Sequence, residues 1–415
     1  ARELGIKATI VMPRTTPELK VQGVRSRGGK VVEYKPLLDE AIRLSSHKPS
    51  AVVMVNRGLA RFVLSSKQPN ADITQVVEEH FGVGAGKLIT LLYFFAIYPI
   101  VLIYGVGITN TVESFLVNQL QMTPPPRWIL SIVLIMAMMS VMLAGEKLML
   151  KVTEFLVYPL IAILAGISLY LIPDWTGAAL NEMPSTKDFA TTLWLTIPVL
   201  VFSFSHMAAL SQFALDTQKK MDGDVAATER EVSKVELVTA ILLVAFTMFF
   251  VWSCSLALGA DGMDAAREQN VPVLSYLANE TDAPFMAWMS PIIAICAIIT
   301  SYFGHLLGTE EGTAYLVRSV APDVAARFST STLRWAVNIF VLVTAVLVAV
   351  LNPSILDMIS VVGGIFVAFL VYIMPALLFA KATAFKHYAR RPDTIFVFVL
   401  GLVNMGVTVW GMITG

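Results

Sequence analysis

The sequence predicts an all-α polytopic membrane protein of nine spans, preceded by a short soluble α/β fragment. Three observations predict it. Of 415 residues, 56% are hydrophobic and 14% are charged, and the mean hydropathy is +0.71, which excludes an ordinary soluble globule. Charge is also unevenly spread, with 10 Lys/Arg and 5 Asp/Glu in the first 50 residues against 20 and 25 in the other 365. Finally, nine stretches are apolar enough to cross a bilayer: roughly 88–109, 128–144, 152–172, 192–213, 238–258, 285–307, 335–351, 355–380 and 394–413.

Each span must be a helix, because lipid offers backbone groups no other partner. About 20 residues rising 1.5 Å each cross a core of about 30 Å; the second and seventh stretches are short and need their flanks. Counted from Arg57, the segment before the first span and those between spans carry Lys/Arg in alternation, 17 on one side and 3 on the other. Positive-inside bias puts the 17 in the cytoplasm and the C-terminus outside.

The fourth span does not read as a simple helix. Pro198 interrupts it, followed by Ser203, Phe204, Ser205 and His206, then Ser211 and Gln212. Proline removes a backbone donor and serines partner the freed carbonyls. Such a segment either lines a cavity, as in the broken helices of secondary transporters, or is a Pro-kinked helix packed on small residues. The sixth span carries Thr300 and Ser301, then His305. Adjacent hydroxyls supply hard oxygen ligands to a small cation, or bond back to the preceding turn. In the first span, Tyr98 and Tyr104 flank a pocket or pack between helices. Glu154 falls in the first turn of the third span, where a carboxylate is either proton-coupling or a helix-dipole partner.

Enzymatic chemistry finds no support. There is no GxxxxGK[ST] phosphate loop, no His/Cys/Asp cluster at metal-ligand spacing and no nucleophile–base constellation, and Cys254 and Cys296 lie in apolar runs that suggest no disulfide. Movement of a small molecule is the expectation, with the bilayer as surroundings and no nucleic-acid partner.

Residues 57–415 resemble bacterial serine/threonine permeases of the hydroxy and aromatic amino acid permease family. The matching runs are Arg57-Gly58-Leu59, Arg61-Phe62-Val63-Leu64, residues 72–99 (DITQVVEEHFGVGAGKLITLLYFFAIYP), 108–115 (ITNTVESF), 122–127 (MTPPPR), 268–279 (EQNVPVLSYLAN) and 351–359 (LNPSILDMI). The resemblance implies amino acid symport, of serine or threonine, driven by protons or sodium across the bacterial inner membrane. It also implies a broken-helix inverted-repeat fold of eleven helices, of which the nine spans would be helices three to eleven, with helix one and most of helix two lacking. Ser203, Phe204, Ser205, His206, Tyr98 and Tyr104 would then meet the substrate, and Thr300, Ser301 and Glu154 the coupling ion. Where the family reads Phe-Ser-Phe-Asn-His-Ser-Pro, the chain has Phe202-Ser203-Phe204-Ser205-His206-Met207-Ala208. Thr300 replaces an expected Lys, which suggests sodium, and Glu154 replaces an expected Ser.

Residues 1–45 are similar, over residues 1–41, to the small domain of threonine dehydratases of the pyridoxal-phosphate fold type II class. That likeness implies strands at 9–12 and 30–34 and a helix from about Pro17. Neither the Schiff-base lysine motif nor the phosphate cradle is present, so no pyridoxal phosphate and no enzymatic activity are expected. Residues 46–56 form a junction that matches neither family. The alternative expectation is a truncated or chimeric polypeptide that does not transport, lacking half of the substrate site.

Overall fold

The computed structural model describes residues 9–13, 30–34, 73–176, 185–204, 207–280, 283–320, 328–381, 386–390 and 392–414. Strands β1 (Thr9–Pro13) and β2 (Lys30–Tyr34) pair in parallel with Thr9 opposite Lys30, at the two stretches expected to be strands. The expected helix near Pro17, the junction and the runs at 57–64 lie outside the described residues.

Everything further is helical. The elements are α1 (Ile73–Phe81), α2 (Val83–Asn118), α3 (Arg127–Leu143), α4 (Glu146–Tyr170), α5 (Thr186–Ser203), α6 (Met207–Lys220), α7 (Val225–Glu268) and α8 (Val273–Glu280). They continue with α9 (Pro284–Val320), α10 (Thr330–Leu351), α11 (Ile355–Val361), two wide π-helical turns (Val362–Val367 and Phe369–Ile373), α12 (Met374–Lys381), α13 (Lys386–Ala389) and α14 (Pro392–Thr414). Among the described residues seven helices are long and apolar enough to cross a membrane, and two shorter apolar ones, Arg127–Leu143 and Phe189–Ser203, stand at the second and fourth expected spans. Each expected stretch therefore holds apolar helix among the described residues, the fourth as far as Ser203.

The fourth span is interrupted, as the first of its two sequence readings has it, and the third begins earlier than expected. The fourth span divides into α5, which ends at Ser203, and α6, which starts at Met207, with Pro198 already inside α5. Helix α4 begins at Glu146, ahead of the expected 152, because residues 146–151 continue the helix from the positive-φ Gly145. Glu154 therefore sits in the third turn, beyond reach of a first-turn dipole contact.

The apolar core falls into three clusters. One joins α1, the first half of α2, α5, α6, the π-helical span and α14 through residues such as Ile97, Val201, Leu210, Leu370 and Val397. A second joins the outer half of α2 to α3, α9 and α10 around Ile135, Tyr302, Phe303 and Val341. The third joins α4, α7, α8 and α9 through Ile167, Cys254, Leu277 and Ile293. Burial differs accordingly: in the most apolar window of each span, 67% of the π-helical span and 56% of α2 are buried, against 17% for α4 and α7. Among the described residues the first pair are interior helices and the second pair lie on the outside of the bundle.

Close approach of the π-helical span to its neighbours depends on two glycines. A Cβ on Gly363 would stand 2.7 Å from the Pro198 carbonyl oxygen in α5, and one on Gly364 would overlap the Thr408 hydroxyl in α14. Wide turns of this kind are frequent at functional sites. The Gly363 carbonyl, in the first of them, accepts a bond from Nδ2 of the fully buried Asn404 at 3.3 Å.

A polar network closes one end of the bundle. Arg127 donates through Nε to the Ala349 carbonyl (2.8 Å), and its guanidinium also holds Glu113 and the Asn110 side-chain oxygen. Asn110 donates to the Asn270 carbonyl at 2.8 Å and to Asn352 Oδ1 at 3.0 Å. Asn270 donates to Asn352 Oδ1 and to the Pro353 carbonyl, and its Oδ1 accepts from the Ile355 amide that opens α11. Asn270 and Asn352 have φ of 54° and 50°, a left-handed conformation that asparagine tolerates better than most residues. The three connections joined here follow the first, fifth and seventh spans, which the charge count puts on one common side. At the other end, Lys381 lies 4.7 Å over the Phe81 ring, joining two segments of the opposite parity.

Two outcomes are expected in detergent-solubilised protein. Gly364→Leu overpacks the α14 contact and lowers stability by about 1–3 kcal/mol, read as a fall in Tm. Arg127→Ala strips charged hydrogen bonds from Glu113 and Asn110 and lowers it by about 1.5–3 kcal/mol.

Candidate functional site

The break between α5 and α6 is the natural centre of a site, because a helix end leaves carbonyls without intrahelical partners. Ser203 closes α5 and its hydroxyl donates to the Val199 carbonyl at 2.8 Å, so the chain end is partly capped from within. Phe204 follows, half-buried, with its amide still bonded to Leu200 at 3.3 Å. Ser205 and His206 lie outside the described residues.

The two tyrosines of α2 go to different neighbours, since residues six apart on a helix point about 120° from each other. Tyr98 is stacked between Phe94 and Phe340 of α10, with ring centroids at 4.9 and 5.4 Å. Tyr104 instead meets His305 of α9 edge-on at 5.4 Å, on the side where α9 carries Ser301. Tyr104 also borders both the first and the second core clusters, so it stands where two packed groups of helices meet.

Thr300 shares its hydroxyl between the Cys296 and Ala297 carbonyls at 3.0 and 3.1 Å, the back-bonded arrangement of an intrahelical threonine. Its oxygen lone pairs stay available to a cation. Glu154 is exposed on α4. The structure thus brings together Tyr104 and Ser301, leaves Thr300 beside them on α9, and sets Tyr98 and Glu154 apart.

The second partner of Tyr104, His305, was visible in the sequence but not separable from an ordinary interior histidine. Gly363, Gly364 and Asn404 carried weaker signals: a glycine pair inside an apolar span and a lone asparagine inside another. Further along α9, Glu310 is 7% exposed and is held by Arg334 at 2.9 Å and Asn338 at 2.7 Å, tying α9 to α10.

Interrupted and widened helices inside an apolar bundle, with seven described helices long and apolar enough to cross a membrane, give the fold class of a polytopic membrane protein with broken helices of the transporter kind. Comparison with known proteins narrows this. The chain is 47% identical over 363 residues to the serine transporter SdaC of Escherichia coli, covering 86% of this chain and 84% of that protein. It is 39% identical over 376 residues to the threonine/serine transporter TdcC of Escherichia fergusonii, with the same coverage. The family model "Transmembrane amino acid transporter protein" matches residues 281–414. Among solved structures, MhsT in complex with L-phenylalanine shares the fold, with a TM-score of 0.50 at 12% identity over 88% of each chain. The chain belongs to the family of bacterial serine and threonine/serine transporters, and it is an amino acid transporter.

If the Tyr104 contacts hold α2 to α9 as described, Tyr104→Ala lowers stability by about 3–5 kcal/mol. Tyr104→Phe, which keeps the ring against His305 and removes only the hydroxyl, lowers it by less than about 1.5 kcal/mol. Thermal unfolding in detergent separates the two.

Proposed function

We propose that this protein takes up L-serine, with L-threonine as a weaker substrate, by symport with sodium or protons across the bacterial inner membrane. The observation that carries the reading is the interrupted fourth span, where α5 stops at Ser203 and α6 starts at Met207. It is supported by the 47% identity to a serine transporter across most of both chains. Half-helix ends offer unpaired backbone groups to the carboxylate and ammonium of an amino acid, and hydroxyls nearby match a hydroxylated side chain. The substrate site comprises the break from Ser203 and Phe204 to Ser205 and His206, together with Tyr104. Thr300 and Ser301, one turn from that ring, are the ion ligands. Tyr98, stacked between phenylalanines, and the exposed Glu154 fall outside this site.

Alternation of loop charge supports a cytoplasmic face at the Lys/Arg-rich connections and a C-terminus in the periplasm. No resident cofactor is required, since the driving free energy comes from the ion gradient.

Reconstituted in liposomes, the protein should accumulate labelled L-serine only under an imposed sodium or proton gradient, and unlabelled L-threonine should compete. An ionophore that collapses the gradient should abolish accumulation. Replacing sodium by choline at fixed pH assigns the ion: unchanged uptake excludes sodium. Accumulation that survives full collapse of both gradients would refute symport.

A further inference from the structure

Helix α14 brings to the π-helical span a polar group that the substrate and ion assignments leave unused. Asn404 lies inside α14 between Val403 and Met405 and is fully buried. Its Nδ2 donates to the Gly363 carbonyl at 3.3 Å, and its Oδ1 has no hydrogen-bond partner among the described residues. The orientation of the amide follows from chemistry, because a carbonyl only accepts and so must face the nitrogen. A leucine of similar volume would fill the same space with no unmatched oxygen, so packing alone does not account for an amide here.

The bond falls where the backbone leaves the regular ladder. The Ala368 amide reaches back five residues to the same Gly363 carbonyl, the bond that defines a wide turn. That oxygen therefore takes two donors, one along the span and one from α14. Gly363 also lies against α5: a Cβ there would stand 2.7 Å from the Pro198 carbonyl oxygen and 2.8 Å from the Phe202 Cβ. Phe202 directly precedes Ser203, the last residue of α5. One residue thus links α14, the wide turn and the end of the interrupted helix.

Register makes this link consequential. Tightening the wide turn to an α turn shifts one side of it by a residue, a rotation of about 100°. A shift in one direction puts Val362 in place of Gly363 at Pro198, and a shift in the other puts Ile365 in place of Gly364 at Thr408. Neither contact has room for a Cβ. The width of the turn and the position of α5 therefore change together.

We infer that Asn404 is a positioning residue for transport. By holding the Gly363 carbonyl it keeps the turn wide and Gly363 seated on Pro198 and Phe202. It thereby sets where α5 ends and how the break from Ser203 to His206 is presented to the substrate, without touching the substrate itself. Binding geometry depends on such supporting hydrogen bonds as well as on the groups that make contact. The inference rests on the substrate site proposed above and adds to it a residue of the last span.

The test compares full-length wild type, Asn404→Leu and a packing control, Ile167→Ala, in detergent. Ile167 belongs to the third core cluster, away from the break. Binding of labelled L-serine is measured per folded protein, alongside Tm. The expected result is that N404L binds serine at least about fivefold more weakly with little loss of Tm, whereas I167A loses Tm and keeps its affinity. A smaller loss of affinity in N404L overturns the inference, and so does an equal loss in I167A, which would mark a general effect of destabilisation. Absence of serine binding by the wild type overturns the substrate reading instead. Should N404L not fold, hydrogen exchange of the wild type decides. Slower exchange of both 362–373 and 398–408 on adding serine supports the link, and unchanged exchange in either segment refutes it.

Discussion

Every backbone amide and carbonyl placed in hydrocarbon must find its partner inside the protein. That requirement shapes each feature of this molecule. It makes the apolar stretches helices, and it limits where a helix can be interrupted. The irregular segments here, the α5–α6 break and the two π-helical turns, lie against one another: Gly363 lets the wide span approach Pro198, and Gly364 lets it approach Thr408. Neighbouring backbone and buried polar groups such as Asn404 then take over bonds that a regular ladder would have made.

The same constraint explains the division of the core. Helix α2 belongs to two clusters, with Ile97 in one and Ile108 in the other. Its length, 36 residues, gives about 54 Å at 1.5 Å per residue, enough to serve both. Helices α3, α9 and α10 are attached to one part of it and the interrupted spans to another. Tyr104 lies at the junction, so a small rotation of one group against the other is felt first at its contacts with Ser301 and His305. A site between two separately packed bodies is a general solution for alternating access, because each body keeps its own interior while the surface between them changes.

Much of this was legible in the sequence because membrane helices obey composition. Each of the nine apolar stretches holds helix among the described residues, and the alternation of Lys and Arg agrees with which loops meet: Asn110, Asn270 and Asn352 join connections of one parity, Lys381 and Phe81 join the other. The interruption after Pro198 was also readable, since proline and clustered serines act locally. Side-chain partners were not. Whether Tyr98 or Tyr104 faces the polar groups of α9 depends on helix rotation, which an apolar pattern on all sides leaves unspecified. Glu154 was placed in a first turn because hydropathy marks where a span enters lipid, whereas the helix begins earlier, in water. The asparagine network escaped notice because its members are 160 and 242 residues apart.

That separation has a consequence for biogenesis. Asn110 and Arg127 enter the membrane region early, yet Asn352 is synthesised 242 residues later than Asn110. At about 5–20 residues per second, the early pair waits on the order of 10–50 s for its partner. Over that interval Arg127 already has Glu113 and Asn110, while the Asn110 amide and the Arg127 Nε still lack Asn352 and the Ala349 carbonyl, so the ends of α2 and α3 must stay hydrated at the interface. The network can therefore be completed only after seven of the nine spans have been made, which makes it a late checkpoint of assembly and a place where quality control could sense an unfinished chain.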